Sequence, residues 1–257
     1  RNRLVVALLL RDGGLINTKN FKVNKYVGDP INAVKIFNDR LCDELLICDY
    51  GASRQQTEPD YELIQGMAEE AKMPICYAGG VRSPNQAAKL INIGAEKIGI
   101  CSGALEQPNL LKDCALEIGS QSVVGIIDYK NRSGFLRQRN IVCAQSNHVH
   151  YERDPLDLAV SFQQDGVGEV LFNSIDRDGM RVGYDIELAI QARKLLNVPI
   201  TMMGGASTLD DVKNLTDNVG LIGAAASSMF VYKGKHDAIL LQYPESEVKS
   251  NVTTLPI

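Results

Sequence analysis

Short runs of apolar residues alternate with amphipathic stretches along most of the chain. Each run has four to seven residues and is bounded by turn signals, which is the pattern of a buried strand. Eight strands are predicted, at residues 4–10, 44–48, 75–78, 97–101, 123–127, 169–173, 200–203 and 221–225. Helices are predicted between most of them, at residues 30–38, 61–71, 85–93, 156–164, 186–196 and 210–215. Strands that alternate with helices are typical of an α/β protein with a parallel sheet.

The chain also contains an internal repeat. A shift of 125 residues aligns the two halves in one constant register, without a gap. The matched positions include Asp29 with Asp154, Glu44 with Glu169, Asp60 with Asp185, Pro74 with Pro199, Gly79-Gly80 with Gly204-Gly205, and Ser102 with Ser227. Two four-strand halves predict a single (β/α)8 TIM barrel over residues 1–257, built from half-barrels at about 1–121 and 122–257. A doubly wound sheet is the alternative, but it predicts no duplication.

Composition and charge narrow the class of function. The 257 residues carry a net charge of −4, which argues against a nucleic-acid partner, since such proteins usually present a basic face. No apolar run approaches the 18 residues of a membrane span, so no membrane partner is predicted. The six cysteines form no CxxC pair and are interpreted as reduced thiols of a cytoplasmic protein. Only three histidines are present, and neither a metal nor a cofactor is predicted.

Candidate phosphate sites follow the predicted strands, because a barrel binds its ligand at the carboxyl ends of the strands. The third and seventh strands end in glycine pairs, and the strand after each ends in a small-residue turn that opens a short helix. Glycine turns and helix N-termini offer free backbone N–H groups to an anion. The two predicted sites consist of Gly79, Gly80 and Ser102, and of Gly204, Gly205, Ala226 and Ser227. Such a pair suggests a substrate with a phosphate at each end, unless the glycines only form tight turns.

Carboxylates follow the strands at the same ends, where they can act as general acids or bases. Asp128 closes the fifth strand, and Asp178 follows the sixth; both are predicted to be catalytic. Asp49 and Asp176 are grouped with the substrate-binding residues, although Asp49 could equally be a satisfied structural group.

A second set of charges lies at the opposite ends of the strands. Arg3, Glu44, Lys97 and Glu169 each begin an apolar strand, and the repeat places the two glutamates on opposite sides of the barrel. One interpretation is that these side chains point into solvent. The other is a ring of ion pairs across the barrel floor, for which function is a better explanation than stability.

Together these features resemble the cyclase subunit of imidazole glycerol phosphate synthase, a family of histidine biosynthesis. The resemblance runs from about residue 3 to residue 230, and its most specific motifs are SIDRDG at 174–179 and GYD at 183–185. It implies that a glutaminase docks on the floor and that ammonia passes through the barrel to a bisphosphorylated substrate. It also implies that Arg3, Glu44, Lys97 and Glu169 form the gate of this channel, and that the two glycine pairs hold the two phosphates.

The chain departs from the family pattern at functional positions. Leu9 stands where the resemblance implies a catalytic aspartate, and leucine cannot transfer a proton. The lysine of the first loop falls at Asn17, although Lys19, grouped with the substrate-binding residues, lies two positions on. Cys101-Ser102 replaces an Asn-Thr pair, and residues 137–153 are unlike the family.

Three functional hypotheses remain open. The first is a divergent synthase subunit that works with a glutaminase and a separate amidotransferase, and conducts ammonia for the acetamidino modification of a sugar in O-antigen or lipopolysaccharide biosynthesis. The second is the ordinary cyclase of histidine biosynthesis, a lyase, with altered acid–base residues. The third is a non-catalytic scaffold or activator of the glutaminase. The first two use a phosphorylated small molecule as substrate.

Overall fold

Eight parallel strands close into a barrel in the computed structural model, which describes residues 2–133, 138–234 and 236–254. The barrel strands are β1 (Arg3–Arg11), β4 (Glu44–Asp49), β5 (Ile75–Ala78), β6 (Lys97–Ile100), β7 (Val123–Ser133), β10 (Glu169–Ser174), β11 (Ile200–Met203) and β12 (Gly223–Ala226). Each is hydrogen-bonded to the next in this order, and β12 pairs with β1 to complete the circle. The fold is therefore a (β/α)8 TIM barrel, as the sequence predicted.

Helices surround the barrel and cover the outer faces of its strands. They are α1 (Pro30–Asp39), α2 (Tyr50–Gln55), α3 (Tyr61–Glu70), α4 (Pro84–Asn92), α5 (Ser102–Glu106), α6 (Leu110–Ile118), α7 (Pro155–Gln164), α8 (Ile186–Leu195), α9 (Leu209–Val219), α10 (Ser228–Val231) and α11 (Ser246–Thr253). Four of the repeated aspartates are N-caps: the side chains of Asp29, Asp60, Asp154 and Asp185 accept backbone N–H bonds at the starts of α1, α3, α7 and α8. Part of the sequence repeat is therefore explained by the need to cap equivalent helices in the two halves.

The barrel has an apolar interior because alternate residues of each strand point inward. This layer is formed by Val5, Ala7, Leu46, Cys76, Ala78, Val124, Ile126, Leu171, Met203 and Ala225. Gly99 belongs to the wall, where a Cβ atom would lie 2.6 Å from the Cδ1 atom of Ile126. A larger core fills the space between strands and helices, with Phe37 and Phe162 at equivalent positions of the repeat.

Antiparallel extensions stand at the carboxyl ends of the barrel strands. A hairpin of β2 (Gly14–Lys19) and β3 (Lys22–Gly28) pairs with the end of β1, and β8 (Gln138–Ala144) and β9 (Val149–Tyr151) extend β7. Two short strands, β13 (Tyr232–Lys233) and β14 (Ala238–Ile239), form a separate hairpin. These pieces surround the barrel mouth, which we define as the carboxyl-end opening.

The eight predicted strands are all present, with boundaries that shift by no more than two residues, except that β7 continues six residues beyond its predicted end, to Ser133. The predicted barrel spans 1–257, of which residues 1, 134–137, 235 and 255–257 lie outside the described residues. The division into two half-barrels stays a prediction from the repeat. Within the described part of the chain, no helix combines the length and apolar character needed to cross a membrane.

Candidate functional site

Four charged side chains close the barrel floor, at the amino ends of the strands. Arg3 donates to Glu44 Oε2 at 2.6 Å and to Glu169 Oε1 at 2.7 Å. Lys97 Nζ donates to Glu44 Oε1 at 2.9 Å and to Glu169 Oε2 at 3.0 Å. Cations and anions therefore alternate in one ring, which we call the floor ring. Thr201 supports one corner, because its hydroxyl donates to Glu169 Oε1 at 2.6 Å and accepts from Arg3 at 3.2 Å.

The partners in the floor ring stabilise one another's charged forms. Burial alone would lower the pKa of Lys97 and raise that of Glu169, because it disfavours charge. Attraction and hydrogen bonds across the ring outweigh burial, so that the pKa of Lys97 is raised and that of Glu169 is lowered. The interpretation that these side chains point into solvent was wrong for both glutamates, whose side chains are 7% and 9% exposed.

At the opposite end of the apolar interior lies a cavity, the mouth pocket, whose walls include Leu9, Cys48, Asp128 and Asn173. Asp128 Oδ1 accepts a hydrogen bond from Asn173 Nδ2 at 2.8 Å, and Oδ2 faces the Cys101 thiol at 3.6 Å. Burial raises the pKa of Asp128 to about 6, although the bonds from Asn173 and Cys101 act in the opposite direction. A carboxyl group with this pKa is well suited to proton transfer near neutral pH.

Leu9 lines the mouth pocket as part of a small apolar cluster. It packs with Ile16 and Tyr50, and each of the three side chains is 8% exposed. Ile16 is also the β2 partner of Leu9 in the sheet register. Leu9 therefore helps to hold the β2–β3 hairpin against the mouth and has no proton to transfer.

The same hairpin is bound by Asp178, the second predicted catalytic residue. Asp178 Oδ2 accepts from the Thr18 hydroxyl at 2.6 Å and from the Phe21 backbone N–H at 3.0 Å. Its carbonyl oxygen accepts from the Asn20 backbone N–H at 3.0 Å. Burial raises the pKa of Asp178, and these two carboxylate contacts oppose the rise. Asp178 lines the mouth pocket, and it also anchors the hairpin against the mouth.

The first glycine turn, Gly79-Gly80, lines the mouth pocket together with Ser102. The Ser102 hydroxyl accepts from the backbone N–H of Gln145, in the turn between β8 and β9, at 2.9 Å. Asp49 lies beside this turn: its Oδ1 atom caps α2 through the Ala52 N–H at 2.8 Å, and its Oδ2 atom accepts from Tyr77 at 3.0 Å. Asp49 thus lines the pocket while both of its oxygens serve structural contacts.

The second glycine turn, Gly204-Gly205, has a different environment. The described lining of the mouth pocket includes neither this turn nor Ala226 and Ser227. Packing does not separate the two turns: a Cβ atom on Gly205 would lie 2.0 Å from the Gly183 carbonyl oxygen, and one on Gly80 would lie 2.4 Å from the Thr57 carbonyl oxygen. The structure therefore brings only one of the two predicted phosphate sites to the pocket.

Two further predicted residues lie at the edge of the site. Asp176 accepts a bond from the Asn131 backbone N–H on β7 at 2.6 Å, outside the described lining of the pocket. Lys19 ends β2 with an exposed side chain that packs near Gly179. Neither contacts the first glycine turn in the described contacts.

Three residues that contribute to the two sites were not predicted from the sequence: Asn173, Arg82 and Thr201. Asn173 orients Asp128, Arg82 lines the mouth pocket beside the first glycine turn, and Thr201 supports the floor ring. Alternation could have found Asn173, because it lies four residues after Glu169 and so points inward like it. In the described chain, no three His, Cys, Asp or Glu side chains are arranged to hold a metal, and each of the six cysteines is free.

Comparison with known proteins assigns the family. Residues 3–237 match the family profile described as "Histidine biosynthesis protein". A protein of Leptospira borgpetersenii assigned as imidazole glycerol phosphate synthase subunit HisF is 43% identical over 249 residues, covering 97% of each chain. A Vibrio vulnificus protein assigned as subunit hisF3 is 40% identical over 256 residues, covering 99% of this chain and 97% of its own. The HisF subunit of Streptococcus sanguinis is 30% identical over 239 residues, covering 90% of this chain and 91% of its own. The chain belongs to the HisF family, the cyclase subunits of imidazole glycerol phosphate synthase.

Proposed function

We propose that this chain receives ammonia at the floor from a glutaminase subunit and delivers it through the barrel to an acceptor at the mouth. One observation carries the proposal: a charged ring and a pocket that contains carboxylates lie at opposite ends of one apolar interior. Neutral ammonia can cross such an interior, whereas an ammonium ion would lose its hydration without compensation. The floor ring would admit ammonia by a rearrangement of its ion pairs.

The surface around the floor ring supports the docking of a protein partner. A groove there is lined by Arg3, Lys97 and Glu169. It continues past Arg193 to Leu221, which is 51% exposed. An arginine beside an exposed apolar side chain is typical of the residues that anchor protein interfaces. A glutaminase bound at this groove would release ammonia at the outer side of the floor ring.

At the mouth, we propose a reaction other than the cyclisation that gives the family its name. Asp128 is the one carboxylate of the expected acid–base pair, because Leu9 fills the other position. Loss of one of two cooperating groups typically costs orders of magnitude in rate. The acceptor we favour is a sugar precursor of a surface polysaccharide, which receives an acetamidino group with the help of a separate amidotransferase.

The similarity to other HisF proteins supports this assignment. Of the relatives described above, the two at 43% and 40% identity include one numbered as a third HisF, whereas the Streptococcus sanguinis HisF subunit is 30% identical. A numbered additional copy fits a role outside the main histidine pathway. The genes next to the one that encodes this chain, whether of histidine or of polysaccharide biosynthesis, provide the first check.

The decisive experiment compares two nitrogen donors in the reconstituted complex. Lys97→Ala should lower glutamine-dependent product formation about tenfold and leave ammonium-dependent formation within about twofold, because it damages only the entrance. Lys213→Ala, at an exposed helix surface pair with Asp217, is the matched control and should change neither rate. An equal loss with both nitrogen donors would contradict a channel.

The second candidate is the ordinary cyclase with a rearranged site. Asp128, with its pKa of about 6, favours this alternative, because a lone general acid–base group could retain part of the activity. Clear cyclisation of the formimino ribulotide substrate with ammonium salt would establish it and displace the sugar acceptor. If Asp128→Asn leaves product formation by the whole complex unchanged, the chain is a scaffold or activator of the glutaminase.

A further inference from the structure

The inward face of β10 connects the floor ring with the mouth pocket. Residues two apart on a strand point to the same side, so Glu169, Leu171 and Asn173 follow one another along the inside of the barrel. Glu169 belongs to the floor ring, Leu171 to the apolar interior, and Asn173 to the lining of the mouth pocket. At about 3.3 Å per residue, Asn173 lies about 13 Å beyond Glu169 along the strand. Asn173 therefore lies where the apolar interior opens into the pocket.

One oxygen at this point has no partner within the described part of the chain. Asn173 is 5% exposed, and its Nδ2 donates to Asp128, but its Oδ1 atom is buried and receives no hydrogen bond from the described residues. A buried polar atom that stays unpaired is costly, so it requires a partner that these residues do not supply. Because an amide oxygen can only accept, the missing partner is a hydrogen-bond donor.

Asp128 adds further acceptor capacity beside Asn173, its neighbour in the register of β7 and β10. An ionised carboxylate offers about four lone-pair positions, and the described contacts of Asp128 use two of them, for Asn173 Nδ2 and the Cys101 thiol. Arg82, the one cation in the described lining of the pocket, is paired with Glu106 at 3.1 Å. Acceptors therefore outnumber donors here, and a ligand rich in N–H groups would balance them.

The apolar side chains around these two residues narrow the class of ligand. Ile126 and Leu171 lie two residues before Asp128 and Asn173 on the same strands, and Met203 belongs to the same layer and pocket lining. None of these three side chains can donate a strong hydrogen bond. An anion or a molecule with several acceptor atoms would lose its hydration here without compensation. A small molecule whose hydrogens are all N–H donors would not.

We propose that Asn173 Oδ1 and the Asp128 carboxylate form a receiving site for ammonia where it leaves the apolar interior. Ammonia has three N–H donors and one lone pair. When its N–H groups are held by the two side chains, the nitrogen lone pair points away from them, toward a substrate in the mouth pocket, which is the orientation that an attack requires. This inference rests on the proposed function and adds to it a binding site for the transferred nitrogen, in which Asn173 contacts the ammonia.

The test adds ammonium chloride to the full chain near neutral pH and follows the infrared band of the Asp128 carboxylate. The band is identified by its absence from the spectrum of Asp128→Asn. Tetramethylammonium chloride at equal concentration is the comparison, because this cation carries the same charge but has no N–H group. Ammonium chloride should shift the band saturably, and tetramethylammonium should bind at least about tenfold more weakly, because it cannot donate to either side chain.

Variants of Asn173 separate a receiving site from a general attraction of cations to Asp128. Asn173→Leu should abolish the saturable response, and Asn173→Ser, with a shorter side chain, should weaken ammonium binding about fivefold. The serine variant keeps the test decisive if the leucine variant does not fold. Asn218→Ser is the matched control, because Asn218 is an exposed residue of α9 whose Nδ2 donates to the Asn214 carbonyl oxygen. It should leave ammonium binding unchanged.

Three results would overturn the inference: equal responses to the two cations, no response to ammonium chloride, or unchanged ammonium binding in Asn173→Ser. Absence of a response would mean that water alone satisfies Asn173 Oδ1. The proposed function fails separately, when glutamine-dependent and ammonium-dependent product formation respond equally to Lys97→Ala. That failure removes the channel, whereas ammonium binding at Asn173 is measured on the chain alone and needs neither a glutaminase nor a substrate.

Discussion

The floor and the mouth of this barrel both bury charge, but they offset its cost in different ways. At the floor, Glu44 and Glu169 each contact both cations, Arg3 and Lys97, so that attraction compensates for lost hydration. At the mouth, Asp128 has one amide and one thiol as partners in the described contacts, and no cation. The opposite pKa shifts of Glu169 and Asp128 follow from this difference. A carboxyl group whose pKa is raised by burial, with no cation to compensate, is a candidate functional group, and Asp128 at the mouth is such a group.

The largest expected effect comes from breaking the floor ring. Glu169→Leu should lower the free energy of unfolding by about 3–5 kcal/mol at pH 7, because it leaves two partly buried cations with one anion between them. Urea denaturation measures the loss, and Lys213→Ala at an exposed ion pair provides the small reference effect. Since the pKa of Glu169 is lowered by folding, its contribution is present above its unfolded pKa and disappears as the pH falls through the folded value. A loss below about 1 kcal/mol would place the floor ring with ordinary surface pairs.

The next largest effect is an increase, rather than a decrease, in the free energy of unfolding. The pKa of Asp128 rises from 3.8 to about 6, which corresponds to about 3 kcal/mol of cost when the buried group is ionised. Asp128→Asn should therefore raise the free energy of unfolding at pH 7 by about 1–3 kcal/mol, as the amide removes the buried charge. The stability due to Asp128 is fully present below its unfolded pKa and is lost as the pH rises toward 6, so the gain should vanish near pH 4. A destabilised variant at pH 7 would show that Asp128 is as well compensated as Glu169.

A smaller change tests the support of Asp128. Asn173→Leu removes a hydrogen bond to a charged carboxylate and should lower the free energy of unfolding at pH 7 by about 1.5–3 kcal/mol. It should also raise the pKa of Asp128 above about 6, because the Asn173 bond stabilises the ionised form. Infrared titration of the carboxyl band reports this directly. A merely structural role for Asn173 would leave the titration midpoint in place.

The smallest effect concerns Thr201. Thr201→Val keeps the shape of the side chain but removes the hydroxyl that joins Glu169 to Arg3, so we expect a loss of about 1 kcal/mol. Thr253→Val, on α11 with a hydroxyl bond to the Lys249 carbonyl, is a comparison of the same chemistry away from the ring. Equal effects at both positions would mean that the floor ring gains nothing special from Thr201.

The sequence was most informative where a local pattern is enough to predict the structure. Apolar runs and turn signals located the strands at 75–78 and 200–203 with their observed boundaries, and the repeated charges Glu44 and Glu169 indicated the floor ring. It was least informative about the mouth. The repeat makes the two glycine turns look equivalent, yet only the first lines the mouth pocket. The β2–β3 hairpin is held at the mouth by a bond from Thr18 to Asp178, which lies 160 residues away in the sequence. Neither spacing nor periodicity encodes such a contact.

Leu9 finally bears on how this barrel could have changed over evolutionary time. Its side chain forms an apolar cluster with Ile16 and Tyr50. An aspartate introduced at this position would enter that cluster without a cation, in the same pocket as Asp128. A single Leu9→Asp substitution would therefore cost stability before it could add a group for proton transfer. A carboxylate at position 9 requires accompanying changes around it, and chemistry in the present pocket depends on the groups that it already holds.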